Sequence, residues 1–308
     1  MKIPSGRDWT KDSPYHRFFD FIAPEADRYQ IITELLDELT LNSLVISIEE
    51  KRHFFVFPKG FTLTSQKSFP FSGQSPVILV AHYDRAEGSS GANDNSAAVF
   101  QLLKAATRLE SQGADYWLII FTDKEELRTG ESIREQGAFS LAEKLRDWGL
   151  GNARIFIFDA CGTGDTFIFS KTTDYLLGQD ERRASIKAKQ LINGLQNHAL
   201  DTARFLRLSR ILVAPTPFSD DAGFLRAGIP AQTITMLPTR EAAPYASLLR
   251  NRPLFAELLI YGEAQNGNDR LLIPETWRCL NGPSDSHLRL TPEHYDKVSR
   301  FAAELCIV

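Results

Sequence analysis

Three short runs of uninterrupted apolar residues constrain the fold of this chain more than any other feature of its sequence. They read Val-Ile-Leu-Val-Ala, Trp-Leu-Ile-Ile-Phe and Ile-Phe-Ile-Phe, at residues 77–81, 117–121 and 155–158. A strand that is apolar at every position is typical of a sheet covered on both faces. Segments with helical periodicity separate the runs, so strands and helices alternate. This alternation predicts parallel pairing through right-handed crossovers.

The remaining pattern completes an α/β architecture. Two further apolar runs predict two strands, and two apolar runs on either side of the charged stretch 49–52 predict a hairpin of two more strands. These additional strands are expected at residues 44–48, 54–57, 211–214 and 232–236. Helices are expected at residues 96–109, 139–148, 183–200, 221–227 and 291–305. We therefore predict a three-layer α/β sandwich with a mixed, mostly parallel central sheet.

The chain of 308 residues has the length of one large or two medium domains. No repeat or low-complexity linker divides it, so we expect a single domain over residues 1–308. Its N-terminal segment, 1–42, is predicted to be helical, because apolar residues recur every three or four positions within 13–41. Residues 58–75 are rich in Gly, Ser, Thr and Pro and are expected to form a loop. Residues 239–272 interrupt the alternation and are expected to form a helical insertion.

Composition excludes several classes of protein. The 35 Lys and Arg residues against 39 Asp and Glu give a net charge of −4, which provides no basic surface for nucleic acid. No apolar run approaches the roughly 18 residues of a membrane span, and the first nine residues lack the apolar core of a secretory signal. Three cysteines without metal-knuckle spacing indicate reduced thiols. We expect a cytoplasmic protein with no nucleic-acid or membrane partner; the sequence leaves its oligomeric state open.

Side chains that can bind a metal ion or transfer a proton follow each of the three apolar runs. His82 and Asp84 follow the first run, Glu125 and Glu126 the second, and Asp159 the third. The carboxyl ends of parallel strands line the ligand crevice of an open α/β sheet. These side chains are therefore predicted to meet at one edge of the sheet.

Local spacing gives these residues complementary properties. His82 and Asp84 are two positions apart and share a face in extended backbone, so the carboxylate can orient an imidazole that binds a metal. Asp94 lies in the loop Gly91-Ala92-Asn93-Asp94-Asn95 and can reach into the same crevice. The adjacent Glu125 and Glu126 project differently, so one can bind a metal while the other accepts a proton.

The ordered set of these motifs resembles the zinc-dependent aminopeptidase and glutaminyl cyclase family of co-catalytic metallopeptidases (clan MH, peptidase family 28 type). The resemblance covers about residues 75–300. It is carried by "VILVAHYDRAEGSSGANDNSAAV", "FTDKEE", "FIFDA", "SDDAGFLRAGIPA" and "WRCLNGPSDSHLRLTPE". It implies a phosphorylase/hydrolase-like fold of the zinc exopeptidase type, and a cis peptide bond after Asp94.

The resemblance also implies a role for each candidate residue. One metal would be held by His82 and Asp159, and Asp94 would bridge to a second metal held by Glu126. Glu125 would be the general base, and Asp84 would be the catalytic carboxylate that orients the imidazole.

The sequence departs from the family at three places. Lys124 replaces the glycine that precedes the two glutamates, and Asp220-Asp221 stands where the family has Asp-His. An ungapped alignment puts Asn281 at the position of the last histidine ligand, and an amide is a poor ligand for zinc. His287, six residues later, is the candidate replacement ligand. Three outcomes stay open: a second site completed by His287, a centre with one metal, or an inactive centre.

The expected function is that of a metallo-aminopeptidase, a hydrolase that removes N-terminal residues from short peptides. A metal-activated water would attack the scissile bond, with Glu125 as general base and one or two zinc ions as cofactor; manganese or cobalt could replace zinc. The alternatives are a glutaminyl cyclase-like acyltransferase with one zinc, and a non-catalytic binding module that keeps the peptidase fold.

Overall fold

The computed structural model describes residues 14–60, 76–127, 130–177, 183–261 and 269–307. These residues form an eight-stranded sheet with the order β1-β2-β4-β3-β5-β8-β6-β7. The strands are β1 Ser43–Ile48, β2 Lys51–Val56, β3 Val77–His82, β4 Trp117–Thr122, β5 Arg154–Phe158, β6 Thr166–Ser170, β7 Ile211–Ala214 and β8 Gln232–Leu237. The four central strands β4, β3, β5 and β8 are parallel. The strands next to them, β2 on one side and β6 on the other, run antiparallel to them. The mixed, mostly parallel sheet confirms the predicted fold class.

Helices cover both faces of the sheet. They are α1 Phe18–Ile22, α2 Arg28–Glu38, α3 Ala97–Gln112, α4 Gly137–Asp147, α5 Thr172–Leu177, α6 Arg183–Phe205, α7 Asp220–Arg226, α8 Thr239–Asn251, α9 Phe255–Tyr261, α10 Glu275–Arg278 and α11 Tyr295–Leu305. No helix in the described part of the chain combines the length and the apolar character that crossing a membrane requires.

The apolar strands are buried because alternate side chains pack into two different layers. On β3, Leu79 and Ala81 pack with α3, α6 and α11, whereas Ile78 and Val80 pack with α4 and α7. All four side chains are fully buried. The hydrophobic effect therefore acts on both faces of each central strand, which explains the uninterrupted apolar runs.

The order of the central strands opens a crevice above β3 and β5. The chain leaves β3 through α3 to reach β4 on one side, and it leaves β4 through α4 to reach β5 on the other side of β3. The connection after β3 runs to β4 on one side, whereas the connection after β5 runs to β6 on the other side, so the two connections diverge. Ligands bind at such switch points in open α/β sheets. His82 is the last residue of β3, and Asp159 directly follows β5.

The N-terminal segment is helical but not as one continuous stretch. A single 3₁₀ turn, Pro14–Arg17, leads into α1, and α2 follows after a break. Ala23 has φ −60° and ψ 147°. A residue before proline, here Pro24, is disfavoured in the helical region, which separates the two helices. Residue 13, at the start of the predicted helix, lies outside the described residues.

One strand of the sheet was not predicted. Thr166–Ser170 forms β6, which pairs antiparallel with β8 and parallel with β7. A helix was expected after each buried strand, but β6 follows β5 after a connection of only seven residues, 159–165. The predicted hairpin is present, and Glu49 and Glu50 turn it with positive φ angles. Of the predicted loop 58–75, residues 61–75 lie outside the described residues.

The predicted insertion at 239–272 contains α8, α9 and a 3₁₀ turn at Asp269–Leu272. Residues 262–268 of this segment are not described. Its helices contribute Ala242, Tyr245 and Phe255 to a third apolar cluster beside β7 and β8. The insertion therefore packs at one end of the sheet, close to the crevice.

Gly137 is required where α4 passes the loop after β4. A Cβ at Gly137 would lie 1.8 Å from the carbonyl oxygen of Asp123, whereas a Cβ at Gly194, within α6, meets nothing within 4 Å. We expect Gly137→Ala to lower the free energy of unfolding by about 2–4 kcal/mol. Gly194→Ala should raise it by about 0.5–1 kcal/mol, because alanine favours a helix. Urea denaturation followed by circular dichroism measures both. A Gly137→Ala protein as stable as the wild type would contradict the close approach.

Candidate metal centre

Three of the predicted metal ligands converge above β3 and β5. His82, Asp94 and Asp159 each offer one ligand atom, and these atoms lie within 4.8 Å of one another. His82 Nε2 is 3.0 Å from Asp94 Oδ1 and 3.8 Å from Asp159 Oδ1. The side chains are 3%, 7% and 13% exposed, respectively. Buried charges at such spacing need a cation or protons to offset their repulsion.

The donor set fits a divalent cation. Asp159 Oδ1 is buried and accepts no hydrogen bond within the described residues. Imidazole nitrogen and carboxylate oxygen are both ligands that zinc accepts, and a catalytic zinc takes three protein ligands and keeps a further position open. In the metal-free protein, burial opposes protonation of His82, but Asp159, Asp84 and Asp94 outweigh burial and raise the pKa of the imidazole well above 6.5. A metal must therefore displace a proton from His82 to bind.

Asp84 connects the imidazole to the glutamate loop. Its Oδ1 lies 3.2 Å from His82 Nδ1, on the side of the ring that faces away from the other carboxylates. The same carboxylate accepts hydrogen bonds from the backbone N–H groups of Glu125, at 3.0 and 3.1 Å, and Glu126, at 3.3 Å. Burial raises the pKa of Asp84, but His82 and these N–H groups outweigh it, and the net pKa is lowered. Asp84 is therefore an anion that can fix both the ring and the loop.

The segment that carries Asp94 is held by side chains on either side of it. Asn95 Nδ2 donates to the carbonyl of Phe158, and Asn95 Oδ1 accepts from the N–H of Ala160. The carboxylate of Asp285 accepts from the backbone N–H groups of Asn93, at 2.8 Å, and Asp94, at 3.1 Å. The peptide bond between Asp94 and Asn95 is cis, as the family resemblance implied. These contacts fix Asp94 relative to the end of β5.

Arg28 holds the other end of this segment, and the sequence analysis missed it. Its guanidinium donates to the carbonyls of Phe21, Tyr83, Asp84 and Ser90 and to the hydroxyl of Ser96. These bonds occupy all five of its N–H donors. Burial, with a smaller effect of Arg85, lowers the pKa of Arg28 to about 9, so it remains charged at neutral pH. An arginine in the apolar stripe of α2 was the sequence signal that could have revealed it.

The two adjacent glutamates occupy different positions. Glu125 faces the cavity above the three ligands, and Gln136 Nε2 contacts its carbonyl at 3.1 Å and its Oε1 at 3.4 Å. Burial raises the pKa of Glu125 well above its usual value; Asp159, Asp94 and Asp220 add to this rise, and His82 opposes it. Glu126 is half-buried and does not belong to the three-ligand group. Its predicted role as a ligand stays a prediction.

Lys124 adopts a conformation suited to the glycine that it replaces. Its φ angle is 59°, in the left-handed region where glycine carries no steric cost. Its Nζ lies 2.7 Å from Glu131 Oε1. The ammonium group of Lys124 is therefore paired with Glu131.

The structure does not bring His287 into the ligand group. His287 is exposed, and its ring contacts that of Phe19 edge-on, with centroids 5.4 Å apart. Asn281 instead lines the cavity beside Asp94 and Glu125. The 3₁₀ turn His287–Arg289 directs the histidine toward α1, which accounts for the difference from the predicted ligand set.

Two further carboxylates that the sequence analysis noted only as departures lie buried beside the centre. Asp220 Oδ2 accepts a 2.6 Å hydrogen bond from Thr122 at the end of β4, and Asp221 Oδ1 accepts from the N–H of Ser219 at 3.1 Å. Asp220 Oδ1 and Asp221 Oδ2 have no hydrogen-bond partner in the described residues. Burial raises the pKa of each carboxyl to about 7.

The centre opens into a cavity of about 130 Å³. Asp94, Glu125 and Asp159 form its acidic floor. The other lining residues are apolar or neutral: Ala160, Thr216, Pro217, Phe218, Thr233, Thr235, Trp277, Leu280 and Asn281. None of the residues from 216 to 218 was predicted from the sequence, because they follow β7 without a distinctive motif.

A sequence model of peptidase family M28 matches residues 64–257, more than half of the chain. The chain belongs to this family. No curated protein matches it. The match contains every residue of the three-ligand group and both glutamates, and it ends before Trp277 and Asn281.

Solved structures of two other proteins, a cyclase and an aminopeptidase, share the fold of this M28 chain at low identity. The glutaminyl cyclase of Porphyromonas gingivalis is 15% identical with a TM-score of 0.60, covering 97% of this chain and 98% of that one. The LapA aminopeptidase of Legionella pneumophila is 13% identical with a TM-score of 0.58, covering 97% and 71%. The zinc aminopeptidase BSAP of Bacillus subtilis is 16% identical with a TM-score of 0.49, covering 82% and 49%. This M28 chain thus spans about half the length of the Bacillus enzyme.

Arg28 should matter for stability far more than an exposed arginine. Arg28→Lys keeps the charge but provides three donors for five acceptors, so buried carbonyls lose partners. We expect the free energy of unfolding to fall by about 2–4 kcal/mol in urea denaturation. Arg204→Lys is the control, because Arg204 is 71% exposed and pairs with the exposed Asp201; its change should stay below about 0.5 kcal/mol. Equal effects of the two substitutions would refute this role of Arg28.

Asp221 should make the metal-free protein less stable as pH rises. The pKa of Asp221 is about 7 in the folded chain, whereas in the unfolded chain it takes its ordinary value of 3.8. The folded state therefore retains a proton that the unfolded state releases between about pH 4 and 7. The free energy of unfolding therefore falls over that range, by at most roughly 4 kcal/mol. Asp221→Asn should melt at a higher temperature than the wild type at pH 8, and the difference should shrink as the pH falls toward 4. Calorimetry with a chelator present tests this; equal melting temperatures at pH 8 would exclude an ionised, buried Asp221.

Proposed function

We propose that this M28 family member is a metal-dependent aminopeptidase that removes the N-terminal residue of short peptides. The cavity carries the proposal. Its three carboxylates lie among apolar and neutral side chains. A cavity of about 130 Å³ beside these carboxylates has room for one terminal side chain of a substrate. Family membership supports hydrolysis, and the acidic floor suits a free amino group.

The chain's own residues divide the chemical work. His82, Asp94 and Asp159 would hold a divalent cation, which supplies a Lewis acid for the scissile carbonyl and lowers the pKa of water. Glu125 is placed above them to accept a proton from the attacking water. As the carbon–nitrogen bond breaks, protonated Glu125 can give that proton to the leaving amine. Asp84 holds His82 and the backbone of Glu125, so the ligand and the base keep a fixed separation.

Glu125→Gln tests the role of the base. Glutamine preserves the shape of the side chain but cannot accept the proton, so kcat on a leucyl peptide should fall by about 10²–10⁴-fold. The metal content should stay that of the wild type, because Glu125 is outside the three-ligand group. Steady-state kinetics and elemental analysis of the same preparations give the two readouts. Unchanged turnover would refute the role of Glu125, and loss of metal would instead make it a ligand.

A glutaminyl cyclase-like activity is the second candidate. Asp220, which matches the position of a cyclase catalytic carboxylate, is fully buried beside the centre and bonded to Thr122. Such a buried acid could assist proton transfer to the ammonia that leaves the γ-amide of the glutamine. Incubation with peptides that begin with Gln and with Leu separates the two proposals. Release of the N-terminal Leu supports the aminopeptidase, whereas loss of ammonia from the Gln peptide without cleavage supports the cyclase. No reaction and no bound metal would favour a binding module.

A further inference from the structure

The ligand set of this centre is complete for one cation only. His82, Asp94 and Asp159 form the one group of three or more His, Cys, Asp and Glu ligand atoms that lie within 4.8 Å of one another in the described part of the chain. A catalytic zinc takes three protein ligands and keeps a further position for water or substrate. This group meets that requirement without any other residue.

The other buried aspartates around the centre accept hydrogen bonds from the protein; Asp220 and Asp221 each keep one oxygen without a partner in the described residues, but neither belongs to the three-ligand group. Asp84 accepts from the N–H groups of the glutamate loop and contacts His82. Asp285 accepts from two backbone N–H groups, and Asp220 accepts from Thr122. Glu126, which the family resemblance offers as a ligand for a second cation next to Asp94, is half-buried and outside the three-ligand group. Asp94 and Glu126 together would give a second cation only two protein ligands, one fewer than a catalytic zinc takes.

Among the described residues that line the cavity, those of α10 and of the segment after it supply no anionic or imidazole ligand. These residues are Trp277, Leu280 and Asn281. Asn281 has φ 59°, a left-handed conformation that asparagine tolerates better than most residues. Its amide is a poor ligand for zinc, but it offers both a hydrogen-bond donor and an acceptor. A peptide backbone presents the complementary pair of groups.

We propose that the centre holds a single divalent cation, on His82, Asp94 and Asp159, and that Asn281, which lines the same cavity, contacts the backbone of the substrate. The first part depends only on the ligand geometry. The second part rests on the proposed peptidase function.

The number of ions can be measured without any assay of activity. Chelator-treated wild-type protein, titrated calorimetrically with zinc, should bind one tight equivalent. Asp159→Asn should lose that equivalent, whereas Glu126→Gln and His287→Ala should retain it. Asn281→His should gain a second equivalent, because imidazole adds a third ligand to Asp94 and Glu126. Two equivalents of similar affinity in the wild type, or loss of the tight equivalent in Glu126→Gln, would overturn the single-cation centre.

A second measurement keeps the metal proposal testable if Asn281→His fails to fold. Wild-type protein loaded with one and with two equivalents of Co²⁺ should give the same uncoupled paramagnetic resonance signal per bound ion, with the excess free in solution. A spin-coupled signal at two equivalents would show a dinuclear centre and overturn the proposal.

The role of Asn281 toward substrate has a separate readout. Asn281→Ala should keep one zinc equivalent and raise KM for a leucyl peptide by about 2- to 10-fold, the effect of one hydrogen bond. An unchanged KM would overturn the substrate contact and leave the metal count intact. A wild-type protein that binds one zinc but cleaves no peptide would refute the proposed function and not the single-cation centre.

Discussion

Negative charge buried at the carboxyl ends of β3 and β5 is the constraint on which the rest of the structure depends. The carboxylates of Asp94 and Asp159 both lie next to the imidazole of His82, and Glu125 lines the same cavity. Such a group is unstable unless a cation or protons offset the repulsion. The surrounding chain is accordingly built to hold these side chains in place against that repulsion and to leave room for a cation.

This positioning is achieved mainly through hydrogen bonds between side chains and backbone. Asp84, Asp285 and Asn95 bind N–H groups of the glutamate loop, of the segment that carries Asp94, and of the end of β5. Arg28 saturates the carbonyls on the opposite side of the loop after β3. Each of these bonds is buried or partly buried, where leaving a polar group without a partner is costly. The centre is therefore supported by residues that need not themselves touch a substrate.

The sequence predicted the parts of this centre that depend on local order along the chain. Parallel strands bring their carboxyl ends to one edge, so His82, Asp159 and Glu125 could be expected near one another before any distance was known. Arg28 could not be placed this way, because its acceptors lie between 7 and 68 residues away. Asp285 binds N–H groups more than 190 residues distant. The missed strand β6 has the same cause: its partners, β7 and β8, come much later in the chain.

The sequence by itself determined the fold class and the chemical character of the crevice, because apolar periodicity and the side chains that end each strand are local properties. The tertiary structure alone decided which residue of the segment between α10 and α11 faces the carboxylates. Asn281 lines the cavity, while His287 packs on Phe19. The two differ by six positions in an irregular segment, where no periodicity fixes which side chain points inward. That choice follows from the packing of the segment against α1 and the cavity wall, which involves contacts far apart in sequence.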